Sequence, residues 1–219
     1  MGDGVTWNDA ANWSGNSVPG SDDDVSINSG ASPVAIASNV TVNSLISSRL
    51  IEITTGGSLR FNSSSSLTGG LQQDAGSLIA VGSSTVVDIS GTTTLNGNKI
   101  ETLAGAILNL NGIVNYTMPE NISVEWRSLE TNSQINFPNL ETITGSASQK
   151  YLTIVTERNT GSSISFPKLT TITMPADGND RHDSGILIRA LSTGSVISAP
   201  LLDTFEDNDT HPNSSLTAA

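Results

Sequence analysis

Apolar residues along this chain recur at every second position in short runs, and clusters of Gly, Asn, Ser and Pro separate the runs. Val40-Thr-Val42, Leu50-Ile-Glu-Ile53, Ser58-Leu-Arg-Phe61, Ser77-Leu-Ile-Ala-Val81, Thr85-Val-Val-Asp-Ile89 and Ile107-Leu-Asn-Leu110 all read this way. A period of two places alternate side chains on one buried face, so each run predicts a strand. Gly56-Gly57, Gly69-Gly70, Gly91, Asn96-Gly97 and Asn111-Gly112 supply corners, where Gly and Asn take positive φ at little cost. Gly, Ser, Thr and Asn interrupt every candidate helix and lower its propensity.

Three later stretches are copies of one another: Asn132-Ser-Gln-Ile-Asn-Phe-Pro-Asn-Leu-Glu-Thr-Ile143, Gly161-Ser-Ser-Ile-Ser-Phe-Pro-Lys-Leu-Thr-Thr-Ile172 and Gly194-Ser-Val-Ile-Ser-Ala-Pro-Leu-Leu-Asp-Thr-Phe205. Their equivalent serines, Ser133, Ser162 and Ser195, recur at intervals of roughly 30 residues, the second interval being the longer. Self-similarity at that period marks a solenoid, whose unit cannot bury its apolar face until a neighbour stacks on it. The columns Ile135/Ile164/Ile197, Leu140/Leu169/Leu202 and Ile143/Ile172/Phe205 are expected to point inward. Thr142, Thr171 and Thr204 should form a polar ladder, with Pro138, Pro167 and Pro200 at corners. Ile51 to Asn62 is echoed by Ile100 to Asn111, which would align Gly57 with Gly105 through Gly76. About eight coils at ~4.8 Å each make a rod roughly 35–40 Å long.

Composition narrows the class. Aromatics are 4% of the chain, too few for a broad globular core but enough for a narrow interior filled by ladders of Val, Ile and Leu. The net charge is −12 and the nine basic residues are scattered singly. A nucleic-acid partner needs a basic stripe against phosphates, so none is expected. No stretch is apolar enough to enter a bilayer, so membrane insertion is not expected either. There is no cysteine, and richness in Ser, Thr, Asn and Gly points to a secreted or cell-surface protein.

The opening segment Trp13-Ser-Gly-Asn-Ser-Val-Pro-Gly-Ser-Asp-Asp-Asp-Val-Ser-Ile27 resembles the start of many large bacterial secreted proteins. There a Trp–Gly–Pro–Asp–Val–Ile pattern leads into a right-handed parallel β-helix of the adhesin, autotransporter-passenger or pectin-lyase-like kind. The Phe-Pro-x-Leu-x-x-Ile repeats also look like leucine-rich-type surface repeats. The resemblance implies an all-β, single-stranded right-handed parallel β-helix with an N-terminal cap. Residues 1–30 would be the cap, 31–207 the β-solenoid and 208–219 a loose polar tail. It further implies an extracellular stalk or surface-binding module, with further repeats of a longer parent chain among its partners.

Candidate chemistry is sparse. Asp177-Gly-Asn-Asp-Arg-His-Asp183 gathers oxygen donors, and Asp177, Asn179, Asp180 and Asp183 would suit calcium; no cofactor is otherwise required. A solvated acidic loop is the ordinary reading of such a run. Arg127, Arg158 and Arg189 are candidates for binding an anionic sugar, with Arg127 and Arg189 at equivalent outward positions on either side of Val155. Solubilising charge is the plainer account. Trp126 shares a strand face with Val124 and reads as core; Trp7 and Trp13 read as a lid over the first coil. The leading expectation is a non-catalytic extracellular β-solenoid, a structural stalk or adhesive surface. The alternative is a carbohydrate-binding module or polysaccharide lyase fragment, taking a polysaccharide or host or cell-surface glycan.

Overall fold

In a computed structural model the residues described are 2–30, 33–148, 150–176, 184–208 and 212–218. They form 24 strands and one short 3-10 turn, Ala10–Asn12. All strand pairs are parallel, and every pair joins strands three places apart along the chain. The result is a β-solenoid of eight coils with three strands in each.

The first face of each coil runs from Asp24–Ile27 in the lowest coil to Val196–Ser198 in the highest. The third face runs from Asn39–Val42 to Ser215–Ala218. Between them lies a second face that is broken into two four-stranded sheets. Its lower sheet is Val34–Ile36, Ile51–Ile53, Leu71–Gln73 and Thr93–Leu95, and its upper sheet is Asn115–Thr117, Thr142–Thr144, Thr171–Met174 and Thr204–Asp207.

Columns of like side chains follow from the register. On the third face Val40, Leu59, Leu78, Ile100, Trp126, Ile154, Ile188 and Leu216 are vertical neighbours through all eight coils. The expected Ile135/Ile164/Ile197 and Ile143/Ile172/Phe205 columns hold, and Leu140, Leu169 and Leu202 all pack on the core. Each fully buried aliphatic side chain contributes about 1.5–3 kcal/mol, so a stack of such columns substitutes for a broad globular core. Thr142, Thr171 and Thr204 align on the outside, as the repeats predict.

The break in the second face reflects coil length. On the first face the steps Ile46 to Ser66, Ser66 to Asp88 and Asp88 to Asn109 span 20, 22 and 21 positions. From Asn109 to Asn136, Ser165 and Ser198 they lengthen to 27, 29 and 33 positions. The added residues widen the coil, and the wider interior takes an aromatic cluster of Tyr116, Trp126, Phe137 and Phe166. The echo between Ile51–Asn62 and Ile100–Asn111 is out of phase with the coils. Leu59 sits beneath Leu78, so Gly57 is equivalent to Gly76, but Gly105 lies at a different corner, after Leu103. At Gly76 φ is +67° and a Cβ would come within 1.8 Å of the Gly57 carbonyl oxygen, so this stacked corner admits only glycine.

The two ends differ. At the lower end Val5 and Trp7 bond to Ala35 in a single parallel bridge on the second face, at 2.8 and 3.0 Å. Trp7 is buried, and Trp13 stands edge-on to it with ring centroids 4.8 Å apart. The lid expected from the two tryptophans is present. Asp3 ties it down by accepting bonds from Thr6, Asn12 and Val5, which hold its carboxyl well below the usual carboxylate range. At the upper end the tail is not loose throughout: Ser215–Ala218 pairs with Leu187–Ala190 and completes the eighth coil. Above it the interior is open. Leu216 is more than half exposed at the rim of an apolar hollow of about 190 Å³ lined also by Phe166, Leu169 and Ile188.

Candidate functional site

The sequence points to lateral faces, and the register places their residues. On the third face one outward column reads Thr41, Arg60, Ile79, Glu101, Arg127, Val155, Arg189 and Thr217. Arg127 and Arg189 therefore occupy equivalent positions with Val155 between them, two coils or ~9.6 Å apart along the axis. Basic residues that are scattered in sequence gather here: Arg60, Lys99, Arg127, Lys150, Arg158 and Arg189 all lie on or beside this face.

Carboxylates meet them. Arg127 Nη2 donates to Glu157 Oε1 at 2.8 Å, and its Nη1 lies 3.5 Å from Glu125 and 3.7 Å from Glu101. Lys99 reaches the other oxygen of Glu101 at 3.6 Å, and Arg158 Nε is 3.9 Å from Glu157. Burial opposes the charge on Arg127, but the bond to Glu157 and the charges of Glu125, Glu101 and Glu157 outweigh it and raise its pKa. What the fold assembles is an ion-pair ladder spanning three coils. Arg127 and Arg158 already face protein carboxylates, and among the described residues no ion pair reaches Arg189. Sequence reading missed this ladder because Glu101 and Glu157 stand 26 and 30 positions from Arg127, in coils of unequal length.

The other two faces carry ladders in which Asn and Thr predominate. On the first face Asn109 Nδ2 donates to Asp88 at 2.6 Å, and Asn136 Nδ2 donates to Asn109 Oδ1 at 2.8 Å. On the upper second face two columns stand side by side: Asn115, Thr142, Thr171 and Thr204, then Thr117, Thr144, Thr173 and Glu206. Thr142 donates to Asn115 Oδ1 at 2.8 Å. Rungs ~4.8 Å apart and same-face residues ~6.6 Å apart along each strand make a flat grid of hydroxyls and methyls. On the lower second face Glu52 faces Asp74; desolvation and that neighbouring carboxyl raise the Glu52 pKa.

Among the described residues some buried polar groups lack partners: Tyr116 Oη, the Trp7 and Trp126 indole N–H groups, Gln73 Oε1 and Thr156 Oγ1. Burial pushes the Tyr116 pKa well above the usual phenol range. Tyr116 and Trp126 sit together at the step between narrow and wide coils, with ring centroids 4.7 Å apart. The candidate calcium ligands Asp177, Asn179, Asp180 and Asp183 lie outside the described residues, and no group of three or more acidic or His side chains is placed to hold a metal among those described. Comparisons with protein-family models, curated proteins and solved structures returned no match. The class to which the geometry assigns the chain is the parallel β-solenoid.

Proposed function

We propose that this chain is a non-catalytic extracellular β-solenoid, acting as a structural stalk or adhesive surface of a bacterial secreted or cell-surface protein. The observation that carries this reading is the way outward polar groups bond to their neighbours one coil away. Asp88, Asn109 and Asn136 link three coils, Arg127 ties coils on both sides of its own, and Lys168 donates to Asn139 at 2.8 Å. Side chains locked in ladders stiffen a rod and give it flat faces; a catalytic group needs a free partner aimed at substrate. The test incubates the whole chain with uronic-acid and neutral polysaccharides and follows unsaturated-product absorbance and new reducing ends. No cleavage is expected, and time-dependent release of either product overturns the reading.

Glycan contact is a second reading, favoured by the threonine grid of Thr142, Thr144, Thr171 and Thr173. Retention in a gel containing neutral polysaccharide, lost on Thr171→Val with Thr173→Val, would support it. Unchanged mobility in every gel would remove it.

A further inference from the structure

The lid pairs with only one of the three faces it meets. Val5 and Trp7 extend the second face, but among the described residues no strand lies beneath Asp24–Ile27, the lowest strand of the first face. Its carbonyls alternate. Asp23 O and Ile27 O accept from Asn43 and Ser48 in the coil above, each at 3.0 Å. Period-two geometry therefore turns the N–H and C=O of Asp24 and Ser26 downward, toward the lid. Among the described residues none of these four groups has a partner there.

Along this unpaired edge run two clefts of about 300 and 390 Å³, which meet at Trp13, Ser14 and Ser26. Trp13 is a fixed wall between them, since its indole N–H donates to Trp7 O at 2.7 Å. Its ring is partly exposed and offers apolar contact to a side chain of an extended ligand. The ends of the groove differ in charge. Asp23 and Asp24 line one end, and Arg49 lines the other.

We propose that this groove binds an extended peptide by strand addition along Asp24–Ile27, with a Lys or Arg of the peptide at the Asp23–Asp24 end and an apolar residue against Trp13. Edge pairing supplies the main-chain bonds, and the alternating wall contacts supply selectivity. The net charge of −12 favours a basic partner over a second copy of this chain. The proposal goes beyond the stalk reading, which rests on the lateral faces and survives its failure.

The probe is an end-blocked Lys-Lys-Val-Thr-Val peptide titrated onto the full chain, with amide hydrogen exchange read residue by residue. Saturable binding is expected, with slowed exchange at Asp24 and Ser26. Replacing the two lysines by glutamates should weaken binding at least tenfold. Ser26→Pro, which removes a downward N–H but no bond to the coil above, should do the same, and Asp24→Asn is the milder variant if the proline unfolds the lid. No saturable binding at millimolar peptide, equal binding of the glutamate peptide, or protection confined to Asn39–Val42 or Ser215–Ala218 would overturn it. Slowed exchange at Asp24 and Ser26 on adding a neutral hexasaccharide instead, or on self-association without peptide, would overturn it as well.

Discussion

Phe137 lies directly beneath Phe166, with ring centroids 5.0 Å apart and planes 16° from parallel. The next coil places Ala199 in that column, and the hollow opens above it. Phe166→Ala should therefore cost about 3–5 kcal/mol, the usual loss for a fully buried ring. Ala199→Phe should extend the column and stabilise by about 1 kcal/mol, in line with an added aromatic pair. Thermal unfolding of both variants checks the pair of signs. A destabilised Ala199→Phe would mean that the hollow is not shaped as described.

Tyr116 carries its hydroxyl into the interior, where it meets no partner among the described residues. Removing an unpaired buried polar atom relieves its desolvation, about 1–3 kcal/mol. Tyr116→Phe should raise the melting temperature by a few degrees, on the order of 2–4 °C per kcal/mol for a domain of this size. A lower melting temperature would show that the hydroxyl has a partner.

The lid, the columns and the number of coils were readable because Phe-Pro-x-Leu-x-x-Ile recurs at 137–143 and 166–172, more loosely at 199–205, and because Trp13 precedes the first strand. Phase in the first half was not: Gly105 mimics Gly57 locally while standing at another corner. The Arg127 ladder was hidden for a physical reason. Outward neighbours are set by coil length, which runs from 20 to 33 positions, so no constant spacing connects Glu101, Arg127 and Glu157. The unpaired edge at Asp24–Ile27 was equally invisible, since it depends on which face the lid happens to cover.

Glu52 is desolvated and faces Asp74, and both effects raise its pKa. A raised carboxyl pKa means that the folded state holds the proton more tightly than the unfolded chain. That contribution is fully present below the unfolded value and is lost as pH rises through the folded one. Glu52→Gln should then raise stability at pH 7 by a few tenths to about 1 kcal/mol, the scale of a like-charge neighbour pair, and change little at pH 3. Equal effects at both pH values would contradict the assignment.

Arg127 holds three carboxylates, of which Glu101 is nearly buried. Arg127→Gln should cost about 1–3 kcal/mol because those charges lose their counterion. Adding Glu101→Gln should recover part of the loss, and a double-mutant cycle measures the coupling. Strict additivity would show that the ladder is decorative.

Coils piled in register fix every neighbour described above, and a sequence without cysteine allows a direct measurement of the stacking by paired spin labels. With one label at Ser198 and the other at Ile46, Ser66 or Asp88, all in one outward column, the separations should be about 29, 24 and 19 Å, falling by one ~4.8 Å coil spacing at each step. Distances that do not shrink stepwise, or that are all equally short as in a compact sandwich, would contradict it.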